Sequence, residues 1–124
     1  GVVIAASPDT LGREPWQWDV RMLAAGDGCE VVVGHNPDVM SVVEQRVGIV
    51  EELCLERPAA ELWLVVLLRG SVMHGNFELT EGDVAVWEGD DPRAILLRAP
   101  AGDEVHVQLI RISRRDGRAA RWVP

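Results

Sequence analysis

Few side chains in this chain are equipped for chemistry. His35, His74 and His106 are its three histidines, Cys29 and Cys54 its two cysteines, and its twelve cationic side chains are all arginine. The lack of lysine excludes Schiff-base catalysis through a side-chain amine. The cysteines have no C-x-x-C spacing, so neither a structural zinc site nor a dithiol redox centre is supported. They are expected to be buried free thiols, a state that suits a reducing cytoplasm. His106 is the main catalytic candidate. Over residues 104–113 it shares one face with Gln108, Ile110 and Ile112, opposite Val105, Val107, Leu109 and Arg111. Turned inward, His106 would sit in an apolar cavity with a titration range suited to general acid–base catalysis, and Gln108 would be a binding group beside it. Turned outward, both are surface residues, and periodicity does not choose because both faces carry apolar side chains. His35 and His74 lie among turn residues and read as solvent-exposed. Asp83, after Gly82, reads as a residue that stabilises its own turn. G-x-S-x-G, P-loop and H-E-x-x-H patterns are all lacking.

The chain as a whole narrows the function further. At 124 residues and 48% hydrophobic content it can bury a core as one domain without disulfide or metal support. A net charge of -8 leaves no basic excess to neutralise a phosphate backbone, so a nucleic-acid partner is not expected. The longest apolar run, 62–68, is too short to span a bilayer. These readings lead to a cytoplasmic protein without a membrane partner.

Positioning these residues requires strands. Period-2 alternation in 16–24, apolar runs at 2–6, 29–33, 39–43, 62–68, 84–87 and 94–98, and turn residues between them predict an all-β sandwich or barrel of about nine to eleven short strands. Residues 46–56 contain Glu-Glu-Leu, which favours helix, but Val47, Gly48, Ile49 and Val50 pull the segment to strand. Residues 1–113 read as one barrel domain. The tail 114–124 is basic, has Trp122 as its anchor, and is expected to dock loosely. Run 62–68 is apolar on both faces, so in a thin barrel one face needs a further strand layer or a second subunit to cover it. A homodimer is expected on that ground.

The order of features in 62–87 is apolar strand, hairpin, Leu79-Thr80-Glu81-Gly82-Asp83, then a second apolar strand. It resembles the centre of a cupin, and the resemblance extends over 51–112. It implies a jelly-roll barrel. Metal-dependent cupins carry G-x5-H-x-H-x3/4-E-x6-G and G-x5-P-x-G-x2-H-x3-N. Set on Gly70, the first motif places its glutamate at Trp63 and its histidines at Arg57 and Ala59; set on Gly82, the second places its histidine near Arg93. None of these residues matches, so no metal and no other cofactor is expected. An indole and a guanidinium at ligand positions would instead suit a carboxylated or planar aromatic ligand, with Trp63 and Arg57 as binding groups. The bland alternative is that Trp63 fills the core and Arg57 is solvated. A narrower similarity, to the HutD/Ves group of bicupins, rests on 16–24 and on Asp38-Val39-Met40, but the F-P-G-x-D-R stretch of that group is missing.

Three functions follow from this reading. One is a metal-free cupin-like accessory or sensing protein that binds a small molecule. Another is a metal-independent isomerase, cyclase or epimerase using His106. The third is a structural or partner-binding domain with a filled barrel.

Overall fold

The computed structural model describes residues 2–5, 19–24 and 30–35 in backbone, and residues 40–100 and 102–120 in full. The strands are β1 Val2–Ala5, β2 Asp19–Ala24, β3 Glu30–His35, β4 Met40–Ile49, β5 Glu52–Glu56, β6 Leu62–Arg69, β7 Ser71–His74, β8 Phe77–Thr80, β9 Val84–Trp87, β10 Ala94–Arg98 and β11 Val105–Arg114. The fold is all-β, with no helix among the described residues.

Strands β4 to β11 make two four-stranded sheets, in the orders β4-β11-β6-β9 and β5-β10-β7-β8. Every ladder in them is antiparallel. The pairs β4 with β11, β5 with β10, β6 with β9 and β7 with β8 are nested, first with last and so inward. A long hairpin rolled up on itself gives this nesting, which is the jelly roll expected of a cupin-like chain. The N-terminal strands pair with one another in a three-stranded sheet of order β1-β3-β2. In it β1 runs parallel to β3 and β2 antiparallel.

The chain changes sheet at sharp corners. The single strand expected over 46–56 is broken between β4 and β5, where Glu51 takes a left-handed φ of 69° and the Glu52 N–H donates to the Val50 carbonyl at 2.9 Å. Such a φ is uncommon for a residue with a Cβ, and here it turns the strand into the opposite sheet. Gly70, with φ 87°, makes the corresponding corner between β6 and β7. A Cβ there would also stand 3.2 Å from Val105 Cγ2, so both conformation and space call for glycine.

Strand β6 organises the packing because it is apolar on both faces. Trp63, Val65 and Leu67 point into the space between the sheets, where they meet Ile95 and Leu97 of β10, Val72 of β7 and Val107 and Leu109 of β11. Leu62, Leu64 and Val66 point the other way and pack with Met40, Ile110, Ile112 and Ala120. All three are fully buried within the single chain. Burial of each such side chain contributes about 1.5–3 kcal/mol. The exposed face that motivated a homodimer is therefore absent from β6. Ala120, within the tail expected to dock loosely, is buried, and its N–H donates to the Ala60 carbonyl at 2.9 Å; Trp122 lies outside the described residues.

The free cysteines also need a correction. Cys54 is exposed rather than buried. It alternates on β5 with Leu53 and Leu55, which take the interior positions. Cys29 lies outside the described residues.

Candidate functional site

One row of side chains crosses the interior. Arg111 of β11 is the register partner of Trp63 of β6, and Trp63 is the register partner of Trp87 of β9. Cross-strand partners bring their Cβ atoms to within about 5.5 Å, so the three side chains are neighbours on one face. His74, from the facing sheet, meets Trp87 edge to face, with ring centroids 5.2 Å apart and planes at 89°. Arg111, Trp63, Trp87 and His74 thus form a continuous polar–aromatic row.

At the Arg111 end the polar groups are paired with one another, although the Arg111 side chain is 40% exposed. Glu61, in the loop before β6, accepts from Trp63 Nε1–H at 2.9 Å, Arg111 Nε–H at 3.0 Å and Arg111 Nη2–H at 3.2 Å. The Arg111 guanidinium also lies 5.4 Å from the Trp63 ring centroid, within cation–π range. Burial pushes the Glu61 carboxyl up, but the hydrogen bonds from Arg111 and Trp63 and the positive charges of Arg111 and Arg57 outweigh it. The net result is a carboxyl held below its ordinary value.

Arg57, expected as a ligand-binding or solvated residue, is fully buried. Its Nη1 donates to the Glu61 carbonyl at 2.8 Å, and its Nη2 to the carbonyls of Gly89 and Asp91 at 2.9 and 2.8 Å. Longer contacts reach the Pro58 and Ala59 carbonyls. The guanidinium clamps the β5–β6 loop to the β9–β10 loop. Only its Nε is left without a partner among the described residues. The solvated alternative is corrected by this burial, and the donors that would have met a ligand carboxylate are engaged by backbone oxygens.

Trp63 is 4% exposed and its N–H is used by Glu61, so it forms part of the wall of the interior. His106 and Gln108 do not join it. Val105, Val107 and Leu109 take the interior positions of β11, which puts His106 and Gln108 on the outer face. His106 there is half-buried, with Nε2 3.5 Å from Glu104 Oε1, and its register partner on β4 is Gly48. Trp63 thus lies on one side of the sheet, and His106 with Gln108 on the other.

The Trp87 end is open. A cleft of about 280 Å³ is lined by His74, Phe77, Glu78, Leu79, Ala85, Val86 and Trp87, at the edge where β8 and β9 part. His74, expected in an exposed turn, is the last residue of β7, and the turn is Gly75-Asn76 alone. Gly75 has φ 58°, which a two-residue hairpin requires at its first central position. That turn sets His74 opposite Phe77. His74 has the same parity as buried Val72, which turns its ring inward. His74 Nδ1 lies 3.2 Å from the Leu96 carbonyl oxygen. Phe77 is 75% exposed although it is aromatic and beside the core. Depressions of similar volume occur along Glu88-Gly89-Asp90-Asp91 and on the outer surface of β5 and β10, but neither joins an aromatic row. His74, Phe77 and Trp87 were not among the expected site residues. Counting in steps of two from Val72 would have found His74. His35 ends β3 instead of lying in a turn.

An indole and a guanidinium stand at 63 and 57, the positions on which the metal-cupin motif is set. Neither group is a metal ligand. Among the described residues no group of three or more His, Cys, Asp or Glu comes together to hold an ion.

No family model matches the chain. The curated proteins likewise give no match. Among solved structures, the chain is similar to a cupin-2 domain containing protein from Shewanella frigidimarina NCIMB 400, with TM-score 0.44 and 14% sequence identity over 81% of this chain and 83% of that one. The reading of a cupin-like jelly roll stands on the nested strand pairing described above. No link to the HutD/Ves group is shown. No helix among the described residues is long and apolar enough to cross a membrane.

Proposed function

We propose that this chain is a cupin-like protein that binds a compact, uncharged aromatic molecule in the cleft between β8 and β9, as an accessory or sensing module. The supporting observation is the open end of the interior row, where His74, Phe77 and Trp87 line a cleft of about 280 Å³. That volume is just below the range of about 300–1,000 Å³ for drug-sized sites, which suits a ligand of one or two fused rings. Trp87 provides an indole at the core boundary, and Phe77 an exposed ring that a planar ligand would cover. Of the two ligand classes expected, the aromatic one is favoured. The guanidiniums that would have met a carboxylate are committed, Arg57 to carbonyls and Arg111 to Glu61. Glu78 on the cleft wall would repel an acid.

Calorimetric titration with indole and with indole-3-carboxylate tests this reading. Saturable one-to-one binding of indole, and binding of the carboxylate at least about tenfold weaker, is the expected result. Tighter binding of the carboxylate would return the site to an arginine and overturn the proposal.

A further inference from the structure

His74 is placed to read more than shape. Its Nδ1 stands 3.2 Å from the Leu96 carbonyl oxygen. A carbonyl oxygen only accepts, so the neutral imidazole must carry its proton on Nδ1 to make this bond. Nε2 is then a lone-pair acceptor, and it has no hydrogen-bond partner among the described residues. The ring cannot rotate away freely, because the Leu96 bond holds one edge and Trp87 is packed against it at 5.2 Å and 89°. His74, whose Nδ1 edge is held by Leu96, lines a cleft whose other walls are mainly Phe77, Leu79, Ala85, Val86 and Trp87. Among the described residues of that lining, Glu78 is the one with a charged side chain.

We propose that His74 makes the cleft selective for planar ring ligands that carry an N–H or O–H donor at the ring edge. The inference rests on the reading of the cleft as a ligand site and goes on to name the chemical class. An acceptor met only by water in the free protein favours a ligand that brings a donor and penalises one that displaces that water with a methyl group. A donor-bearing heteroaromatic or a phenol satisfies both the aromatic wall and Nε2. A hydrocarbon of the same shape satisfies only the wall.

Indole and 1-methylindole differ by that one donor and are the test pair. On the native protein, indole is expected to bind about three- to tenfold more tightly than 1-methylindole. In His74→Phe, which keeps a ring and removes the acceptor, the two should bind within about twofold of each other. Equal binding of both by the native protein would overturn the donor selection and leave the cleft as a ligand site. Binding of neither would overturn both readings. Selectivity retained in His74→Phe would remove His74 as the acceptor. If that variant does not fold, the native comparison still stands, and nitrogen-15 shifts of the His74 ring decide the tautomer. A neutral ring protonated on Nε2 would overturn the inference.

Discussion

At the Arg111 end of the interior row, one carboxylate gathers donors from an indole and a guanidinium, and a second guanidinium nearby is clamped by carbonyls. At the Trp87 end, an imidazole and an indole line an open cleft of about 280 Å³, and a phenyl ring stands exposed. The residue types at the two ends are similar: an aromatic row with polar groups at its margins. What differs is whether those groups have found partners inside the chain. A buried polar group that is satisfied holds loops and strands in place, while one left open is available to a ligand. The sequence drew attention to the first end, through Trp63 and Arg57; the second end is the one with room for chemistry.

Substitutions should separate the two ends. The largest effect is expected from Arg57→Met, which leaves the carbonyls of Glu61, Gly89 and Asp91 without their donor. A loss of about 3–5 kcal/mol is expected from the urea midpoint, with indole affinity of the folded fraction within about twofold of native. Loss of indole binding at unchanged stability would instead make Arg57 a ligand contact.

Glu61→Gln should come next, with a loss of about 1.5–3 kcal/mol, the range for hydrogen bonds to a charged group. Its pH signature is more specific. The Glu61 carboxyl is depressed in the folded chain, so its contribution is complete above the ordinary carboxylate range and is lost as pH falls through the depressed value. Thermal melting of the native protein should therefore weaken on acidification more than that of Glu61→Gln. Parallel pH profiles for the two proteins would contradict the role of Glu61 as the hub of the Arg111 end.

A matched pair sharpens the contrast. Trp63→Phe and Trp87→Phe remove similar volumes from neighbouring positions, but only Trp63 has its N–H bonded to Glu61. Trp63→Phe should cost about 0.5–1.5 kcal/mol more than Trp87→Phe in denaturant unfolding. Equal losses would mean that the Glu61 bond contributes nothing. The smallest effect on stability belongs to Phe77→Ser, within about 0.5 kcal/mol because the ring is exposed. Its indole affinity should nevertheless fall about two- to tenfold, the range for one aromatic contact.

These contrasts also bear on how far the fold and site could be read from the residues alone. Strand order was accessible because period-2 alternation and turn residues are local signals: β9 and β10 match the apolar runs at 84–87 and 94–98. The inward face of β11 was not, since that strand lies centrally in its sheet and is buried on both sides, and Arg111 shares the interior parity through its contact with Glu61. Arg57 follows Glu56 and precedes Pro58 like any loop arginine. Its carbonyl partners at Gly89 and Asp91 lie more than thirty residues away, and no local pattern announces them. His74 was misplaced for a different reason. His-Gly-Asn reads as turn chemistry, but a two-residue hairpin needs only Gly75 and Asn76, and the strand parity set by Val72 carries through His74.

The most direct test follows the tryptophan side-chain N–H signals by nitrogen-15 correlation NMR while indole is added. The Trp87 signal should shift and saturate, while that of Trp63, bonded to Glu61, stays in place. A shift at Trp63 with Trp87 unmoved, or no shift at either, would contradict a ligand site at the open end of the row.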